Sequence, residues 1–437
     1  MAIKTEQNLI ETYQQAESFI MEALPMFQSV GKKAMGTYDL TRIRSFLDYL
    51  GNPQTKWPCI HIAGTNGKGS VSHMLAAVYQ QNGYRTGLFT SPHLLTYRER
   101  IKINGSNIPE HEVLRWVKRH YDYLKESHLS FFEMSMGMAF SWFVREKTDI
   151  AIIETGLGGR LDATNVIVPL LSIITNIDLD HQDILGSDIE QISREKAGII
   201  KPGVPVVLGN VDEAVEFVFE EASRKAEARL IRSDYKIVQR SETGNDGIEY
   251  SISKNLFSFP SINLPSLAPY QEYNLNTVLH ALLYLRDIPS LELNNFDIRD
   301  GLENFSAITA FRGRYEILNR QPLVIADAAH NPGGIRFFES LFQNKNVHLH
   351  LVIGLVKDKD LHQIFSLLPQ EATYYFCAAK IPRAMDASQL QEEARKYGLI
   401  GEVWSSPRMA VESIIENANP DDVGLVLGSI YLLAEIL

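Results

Sequence analysis

Short runs of apolar, β-branched residues alternate along the chain with longer segments that have helical spacing. Runs typical of buried strands lie at residues 59–63, 149–153 and 170–175. After the first of them, residues 70–81 have the spacing of a helix, and Gly83 supplies a stop signal. Strands that alternate with helices in this way predict βαβ units and a parallel sheet covered by helices.

A second alternating series begins near Tyr315. Its expected strands lie at residues 323–326, 348–353, 373–378 and 424–427. Residues 306–313 lie between the two series and are the expected linker. We therefore predict a larger N-terminal domain over residues 1–307 and a smaller C-terminal domain over residues 308–437.

Residues 234–265 have a different pattern, because polar and apolar residues alternate there. Within this segment, residues 243–247 have the sequence Thr-Gly-Asn-Asp-Gly, which is a turn signal. The segment predicts a small antiparallel hairpin region inside the N-terminal domain.

Composition agrees with two domains and narrows the possible partners. A chain of 437 residues, 45% hydrophobic and 22% charged, is typical of a soluble globular protein rather than a disordered or fibrous one. Acidic residues outnumber basic ones by 53 to 42, which gives a net charge of −11. This charge disfavours bulk attraction to nucleic acid or to an anionic membrane. An acidic ligand would need a local cluster of cations and metal ions.

The cysteines and the apolar segments indicate the compartment. The two cysteines, Cys59 and Cys377, lie far apart without metal-ligand spacing, so a disulfide framework is excluded and a reducing compartment is expected. No apolar run reaches the roughly 18 residues of a membrane span, and the polar N-terminus lacks the apolar region of a signal peptide. We expect a cytoplasmic protein without membrane or nucleic-acid partners.

The strongest local pattern is His-Ile-Ala-Gly-Thr-Asn-Gly-Lys-Gly-Ser at residues 61–70. A predicted strand runs into a Gly-rich turn, and a helix follows. Backbone N–H groups in such a turn can bind phosphate oxygens, Lys68 can pair with the outer phosphates, and the Ser70 hydroxyl can ligate Mg²⁺. Gly69 separates Lys68 from Ser70, unlike the standard spacing. The alternative is a Gly-rich turn with an incidental lysine.

Three further residues are candidates for the same chemistry. Glu154 directly follows the strand at residues 149–153, at the end of a parallel strand where ligands gather, so it can hold Mg²⁺ beside Ser70 or can cap the next turn. His181 follows the next strand and is either a metal ligand or a histidine that is only hydrogen bonded. Lys196 lies at an expected helix end, where a solvated lysine paired with a glutamate is the local interpretation.

Several motifs, in a characteristic order across nearly the whole chain, resemble one family. They are GTNGKGS at 64–70, LFTSPHL at 88–94, RERIKIN at 98–104, ETGLGGRLDATN at 154–165, NIDLDH at 176–181, REKAGI at 194–199, FRGR at 311–314, DAAHNP at 327–332 and GS at 428–429. The first resembles the Mur-ligase family of ATP-dependent amide-forming ligases. The others narrow the resemblance to its folylpolyglutamate synthase and dihydrofolate synthase branch.

This resemblance implies an α/β fold with two domains and an active site between them. The N-terminal domain is expected to be a P-loop ATPase-like parallel-sheet domain with a small antiparallel β region. The C-terminal domain is expected to be a Rossmann-like α/β domain that carries the glutamate ligase function.

The resemblance also implies the ATP and metal sites. The residues implied to bind ATP are Gly64, Thr65, Asn66, Gly67, Lys68, Gly69, Ser70, Asn274, Arg314 and Asp327. Ser70, Glu154 and His181 are implied as ligands of two Mg²⁺ ions. The family usually has proline where Arg312 stands and histidine where Tyr270 stands.

Catalytic and substrate-binding roles follow from the same matches. Lys196 matches a carbamylated lysine, and His330 matches a residue near the γ-phosphate or the incoming glutamate; with Lys68 and Arg314 they form the implied catalytic set. The residues implied to bind the folate substrate or to neutralise its phosphorylated form are Ser91, Pro92, His93, Arg98 and Arg160.

The expected activity is the ATP-dependent joining of L-glutamate to dihydropteroate and to folates. It would proceed through an acyl phosphate and release ADP and phosphate, in a monomer that needs no protein nucleophile. The alternatives are a folylpolyglutamate synthase alone, another Mur-type amino-acid ligase, or a nucleotide-dependent switch. A dinucleotide-binding oxidoreductase is less favoured, because the first loop has a lysine instead of the spaced glycines of that fold.

Overall fold

The computed structural model describes residues 10–22, 39–233, 236–244, 247–253, 256–357 and 359–437. Part of the polar N-terminal segment lies outside these ranges, and so do Asn245 and Asp246 of the predicted turn. By their contacts, the described residues form two compact units. The first extends to Ile177 and continues with Gln182–Pro265 and Glu272–Phe311; the second comprises Asp178–His181, Ser266–Gln271 and Arg312–Leu437.

An eight-stranded sheet forms the centre of the first unit. Its strands are β1 Cys59–Ala63, β2 Thr86–Phe89, β3 Ile101–Ile103, β4 Ser106–Asn107, β5 Ile150–Glu154, β6 Leu171–Asn176, β7 Val206–Asn210 and β8 Leu230–Arg232. Their order across the sheet is β4-β3-β2-β5-β1-β6-β7-β8, and only β3 and β4 run antiparallel to their neighbours. Every residue of β1 and β5 is buried, as expected for central strands covered on both faces.

Helices cover this sheet. They are α1 Tyr13–Met21, α2 Thr41–Tyr49, α3 Lys68–Gln81, α4 Glu110–Glu126, α5 Phe131–Arg145, α6 Gln182–Leu185, α7 Ile189–Ala197, α8 Glu213–Lys225, α9 Gln271–Leu285, α10 Asn295–Glu303 and α11 Phe305–Thr309. No helix that the structure describes has the length and apolar character to cross a bilayer. Helix α3 follows β1 after a four-residue loop and is almost entirely buried, which fixes the loop between two rigid elements.

A small antiparallel sheet lies in the region where the alternating pattern predicts one. Its strands are β9 Val238–Thr243, β10 Ile248–Ile252 and β11 Ser261–Leu264, in the order β11-β10-β9. The apolar residues of β10 are buried in alternation, because one face of the strand packs inward.

A six-stranded sheet forms the second unit. Its strands are β12 Glu316–Arg320, β13 Leu323–Ala326, β14 Leu349–Ile353, β15 Thr373–Phe376, β16 Gly401–Val403 and β17 Val423–Leu427. The order is β12-β13-β17-β14-β15-β16, with only β12 antiparallel. The helices of this unit are α12 Pro332–Arg336, α13 Glu339–Phe342, α14 Leu361–Phe365, α15 Ala387–Arg395, α16 Pro407–Asn417 and α17 Ile430–Ala434.

The two α/β units confirm the predicted fold class, and the differences from the predicted elements are local. Helix α3 begins at Lys68, two residues before the predicted start. Glu154 is the last residue of β5 instead of the first residue after it. Part of the predicted linker is helical, since α11 occupies Phe305–Thr309. This helix is short and ends where Ala310 adopts a left-handed conformation.

Candidate active site

The loop between β1 and α3 is held by the end of the neighbouring strand β6. The backbone N–H of Thr65 donates to the Asn176 carbonyl at 3.0 Å. The N–H of Asn66 donates to Asn176 Oδ1 at 2.7 Å, and the Thr175 hydroxyl donates to the Asn66 carbonyl at 2.5 Å. These bonds tie the loop to β6, and a loop held by protein contacts has less conformational entropy to lose when it binds a ligand.

Two glycines in this loop are required by its geometry. Gly64 has φ 151°, and a Cβ there would lie 1.9 Å from Thr175 Oγ1. Gly67, which precedes α3, has φ 84°, and its Cβ would lie 2.3 Å from Asn274 Oδ1. The second distance also places Asn274, from helix α9, against the loop. The predicted phosphate loop and Asn274 are therefore together in the first unit.

Two lysines converge on one carbonyl of the loop. Lys68 Nζ donates to the carbonyls of Gly64 at 3.0 Å and Thr65 at 3.1 Å. Lys196 Nζ, from the end of α7, donates to the Gly64 carbonyl at 2.9 Å. Lys196 is only 3% exposed, so the interpretation of a solvated lysine is wrong. Two ammonium groups beside a loop of backbone N–H groups favour an anionic ligand.

Ser70 and Glu154 provide oxygen atoms next to this loop. Both residues are 2% exposed. Glu154 Oε2 accepts from the Ser91 N–H at 3.3 Å and lies 3.9 Å from the position of a Cβ on Gly69. A hydroxyl and a carboxylate fit Mg²⁺, which usually takes one or two carboxylates and completes its shell with water and phosphate oxygens. Among the described residues, no group of three or more His, Cys, Asp or Glu side chains is arranged to hold a metal.

A pocket opens in the first unit beside Ser91 and the cis peptide Ser91–Pro92. Its wall is mostly apolar, and Phe132, Gly156 and Leu157 are among the residues that line it. Carboxylates of Glu133 and Asp162 also line it. A flat ring system with polar edges suits such a pocket, because the apolar wall takes the ring faces and the polar groups fix its orientation.

Arg100 is the cation of this pocket. The residue is 2% exposed, its Nε donates to His93 Nδ1 at 2.8 Å, and its guanidinium lies over the Phe131 ring at 4.8 Å. Burial and the charge of Arg100 lower the pKa of His93 to about 3. His93 is therefore neutral at physiological pH, and its ring proton is on Nε2.

Asp162 organises one wall of the pocket. Its carboxylate accepts from the N–H groups of Leu157 at 2.8 Å and Thr164 at 2.9 Å, and from the Thr164 hydroxyl at 2.5 Å. The Thr164 oxygen is in turn 2.8 Å from His61 Nε2. Because the hydroxyl proton goes to Asp162, His61 donates in this contact. The chain of bonds links the strand before the phosphate loop to the pocket wall.

Two predicted substrate residues have other partners in the structure. Arg98 forms an ion pair with Glu110 at 3.4 Å, and it is Arg100, two residues later, that reaches the pocket. Arg160 pairs with Glu195 at 2.7 Å and its side chain is 54% exposed. The sequence motif contains both Arg98 and Arg100, but nothing in the spacing distinguishes the one that is buried.

In the second unit, Asp327 follows strand β13 and its carboxylate is 2% exposed. It accepts from the Tyr270 hydroxyl at 2.5 Å and from the N–H groups of Tyr315 and Ala329, both at 2.8 Å. Burial raises the pKa of Asp327, an effect that the nearby Arg314 guanidinium opposes. Tyr270 is thus a hydrogen-bond donor to the predicted ribose-binding carboxylate.

A charged cluster surrounds Asp180 in the same unit. Asp180 lies 2.5 Å from Lys359 Nζ, 3.3 Å from His330 Nε2 and 3.2 Å from Asn331 Nδ2, and His181 Nε2 is 3.8 Å away. Burial opposes ionisation of Asp180, but these neighbours hold its pKa well below the usual range. In the sequence, Lys359 belongs to the run Lys-Asp-Lys-Asp, which can be a cationic site for carboxylates or a solvated charge run; Asp358 lies outside the described residues. The contact with Asp180 makes Lys359 a functional candidate.

Comparison with known families identifies two family domains in the chain. A family model named Mur ligase middle domain matches residues 62–279. A second model, named Mur ligase, glutamate ligase domain, matches residues 313–430. The dihydrofolate synthase/folylpolyglutamate synthase of Bacillus subtilis (strain 168) is 31% identical over 98% of this chain and 99% of its own length.

Solved structures with similar folds contain nucleotides. E. coli FolC in complex with DHPP and ADP has a TM-score of 0.79 and 29% identity, over 99% of this chain and 98% of that one. A bifunctional folylpolyglutamate synthase/dihydrofolate synthase from Yersinia pestis, complexed with AMPPNP and Mn ion, has a TM-score of 0.80 and 28% identity over the same shares. The chain belongs to the Mur ligase family, in its dihydrofolate synthase/folylpolyglutamate synthase branch, and is an ATP-dependent amide ligase.

Proposed function

We propose that this chain joins L-glutamate to dihydropteroate and to folates that already carry glutamate. The observation that carries the proposal is the preorganised loop at Gly64–Gly67, on which two lysines converge and beside which Ser70 and Glu154 lie. The relatives named for both activities support the choice of substrates.

The chemistry explains why a phosphate site is needed to make an amide. A carboxylate is anionic and resists attack by an amine. Transfer of the ATP γ-phosphoryl group to a carboxylate oxygen gives an acyl phosphate and ADP. The glutamate amine then attacks the acyl carbon, and the tetrahedral intermediate loses phosphate and a proton. Both steps depend on positioning and on neutralising negative charge, so a protein nucleophile is unnecessary.

Residues around the loop have the properties for phosphoryl transfer. In the proposal Lys68 pairs with the outer phosphates, because its ammonium group lies against the loop backbone at Gly64 and Thr65. Ser70 and Glu154 would hold one Mg²⁺, and His181 a second. When bound, the ions would supply charge neutralisation at the transferring group. Lys196 is buried beside Gly64. A free ammonium group there would add positive charge to the site, whereas a carbamylated side chain would add a negative charge able to ligate Mg²⁺.

The pocket beside Ser91 is the proposed site for the pteridine ring. Phe132 supplies an aromatic face, and Arg100, whose Nε donates to His93, supplies further N–H donors for the ring carbonyl and nitrogens. The carboxylate of Glu133 can accept from the ring amino group. Because Ser91 is hydrogen bonded to Glu154, a ring in this pocket would be near the proposed metal site.

The second unit would supply the groups for glutamate and the remaining nucleotide contacts. Lys359 and His330 provide N–H donors around Asp180 that suit the carboxylates of an amino acid. Arg314 would contact the ATP phosphates and Asp327 the ribose. We further propose that the protein acts as a monomer in the cytoplasm, which sedimentation and cell fractionation can test.

Purified protein with ATP, Mg²⁺ and L-glutamate tests the function. Dihydropteroate and tetrahydrofolate would be supplied separately, with ADP measured and products weighed by mass spectrometry. We expect one added glutamate on dihydropteroate and further additions on tetrahydrofolate. Product from tetrahydrofolate alone would restrict the activity to folylpolyglutamate synthesis. ATP hydrolysis that ignores both glutamate and the pterin substrate would identify a switch protein, and AMP with pyrophosphate would contradict the mechanism.

A further inference from the structure

The last turn of the first unit is anchored to the helix that follows the phosphate loop. Helix α11 ends at Thr309, Ala310 has φ 50°, and Phe311 is the last residue assigned to the unit. Residues 312–314, Arg-Gly-Arg, follow directly and end at Arg314. They contain no proline, and Gly313 has φ 76°, so their own backbone does not stiffen this segment.

Lys102, on strand β3, holds the end of α11. The residue is 3% exposed, and its Nζ donates to the carbonyls of Thr309 at 2.8 Å and Ala310 at 3.3 Å. The last carbonyls of a helix have no partner within the helix, and a cation there also interacts favourably with the helix dipole. Lys102 therefore fixes the position at which the chain leaves the first unit.

His73 forms a second anchor, from α3. It lies one turn after Ser70 and is 6% exposed, and its Nδ1 is 2.8 Å from the Thr309 hydroxyl oxygen. That hydroxyl donates to the Phe305 carbonyl at 2.6 Å, so its proton is already used. His73 consequently donates from Nδ1, and the Thr309 hydroxyl oxygen accepts.

Phe311 provides the third contact. Its ring centroid is 4.7 Å from that of His73 and 5.6 Å from that of Phe305. A Cβ on Gly69 would lie 3.8 Å from the ring, at ordinary van der Waals distance. Phe311 thus packs on the phosphate-loop helix both at Gly69 and one turn later.

We propose that His73, Lys102, Thr309 and Phe311 are positioning residues that hold the end of α11 and so fix where the short segment leading to Arg314 begins. This inference rests on the proposed function, in which Arg314 contacts the ATP phosphates. His73 and Gly69 belong to the first two turns of α3, so Thr309 and Phe311 are held against the helix that follows the phosphate loop. Phe311 then gives the segment to Arg314 a fixed starting point.

Two substitutions at Thr309 form a matched pair for the test. Thr309→Val keeps the shape but removes the acceptor for His73, whereas Thr309→Ser keeps the hydroxyl. Measurements are kcat, KM for the pterin substrate, the amount of phosphate released per amide formed, AMPPNP affinity by calorimetry, and the melting temperature. Phe311→Leu, at a half-buried position, is a second variant that keeps an apolar side chain but loses the ring contacts.

We expect Thr309→Val and Phe311→Leu to lower kcat by about tenfold and to release excess phosphate per amide. AMPPNP affinity and KM for the pterin substrate should stay within about twofold, and Thr309→Ser should resemble the wild type. Equal kcat and equal phosphate-to-amide ratios in the wild type and in both disruptive variants would overturn the inference. So would losses that only track the folded fraction. A wild type without glutamate-dependent turnover would instead refute the proposed function.

Discussion

The ion pair between Lys359 and Asp180 gives a direct test of the charged cluster in the second unit. Each side chain is 10% exposed, and Lys359 Nζ lies 2.5 Å from Asp180 Oδ1. Removing one member of a buried pair leaves the other charge buried without its partner, which costs about 3–5 kcal/mol of stability. Replacing both members by neutral side chains avoids that penalty.

The contacts that remain in each single variant determine how much stability it should lose. After Lys359→Met, the Asp180 carboxylate keeps its contacts with His330 and Asn331, so we expect a loss near the lower limit, about 3 kcal/mol. In a domain of this size about 1 kcal/mol corresponds to roughly 3 °C, so the unfolding midpoint of the second unit should fall by about 9 °C. Asp180→Asn leaves Lys359 buried without its partner and should lower the midpoint similarly.

A double-mutant cycle distinguishes this account from two independent losses. Differential scanning calorimetry at neutral pH would give the midpoints, and hydrogen–deuterium exchange of β14 and β17 would assign them to the second unit. The combined Lys359→Met and Asp180→Asn variant should lose less stability than the sum of the single variants. Additivity within about 0.5 kcal/mol would refute the reasoning, because it would show that the two charges do not compensate each other.

Four further predictions concern the site. Glu154→Gln should lower turnover by at least about 100-fold and weaken Mg²⁺-dependent AMPPNP binding measured by calorimetry; unchanged binding would remove it from the metal site. Arg100→Met should raise KM for dihydropteroate by about tenfold without changing KM for ATP, as steady-state kinetics would show. Arg314→Ala should keep the circular dichroism spectrum but lower kcat by about 100-fold or more. Burial lowers the pKa of both His61 and His93 to about 3, so between about pH 6.5 and 3 the unfolded chain binds more protons than the folded protein does. The full free energy of unfolding should be present above that range and should fall with decreasing pH by up to about 1.4 kcal/mol per pH unit per histidine. In denaturant titrations at several pH values, His93→Gln should reduce this dependence on pH.

The central strands could be predicted because their environment is uniform. Strand β1 is buried along its whole length, so its residues form the continuous apolar run that the pattern identifies. The phosphate loop could be predicted for a related reason. Gly64 and Gly67 are needed by the backbone and by close neighbours, and such local requirements are visible in the residue types themselves.

The choice between Arg98 and Arg100 could not be made from the sequence. Both belong to one motif, on a 3₁₀ turn that covers Tyr97–Arg100. Arg98 points to Glu110, whereas Arg100 is buried against Phe131 and His93. The difference depends on which helices pack over the turn, and residue spacing along the chain does not contain that information.

A run of charged residues is ambiguous in the same way. A lysine among aspartates can be solvated or can form part of a cationic site, and the run itself does not decide between the two for Lys359. Its partner Asp180 is 179 positions away in sequence, in a segment that packs with the second unit. A pair this distant becomes visible only when the fold brings the two segments together.

Lys196 shows that the order of motifs along the chain can single out a residue whose burial the local pattern does not predict. Its neighbours along the chain predict a solvated side chain, yet its Nζ lies 2.9 Å from a carbonyl 132 positions earlier. The family resemblance implies a role in the site for Lys196, because relatives that share a fold also share its long-range contacts. Local physics therefore predicts the features that the backbone itself requires, such as Gly64. The placement of Lys196 depends on packing between α7 and the loop, so it requires either a relative or a structure.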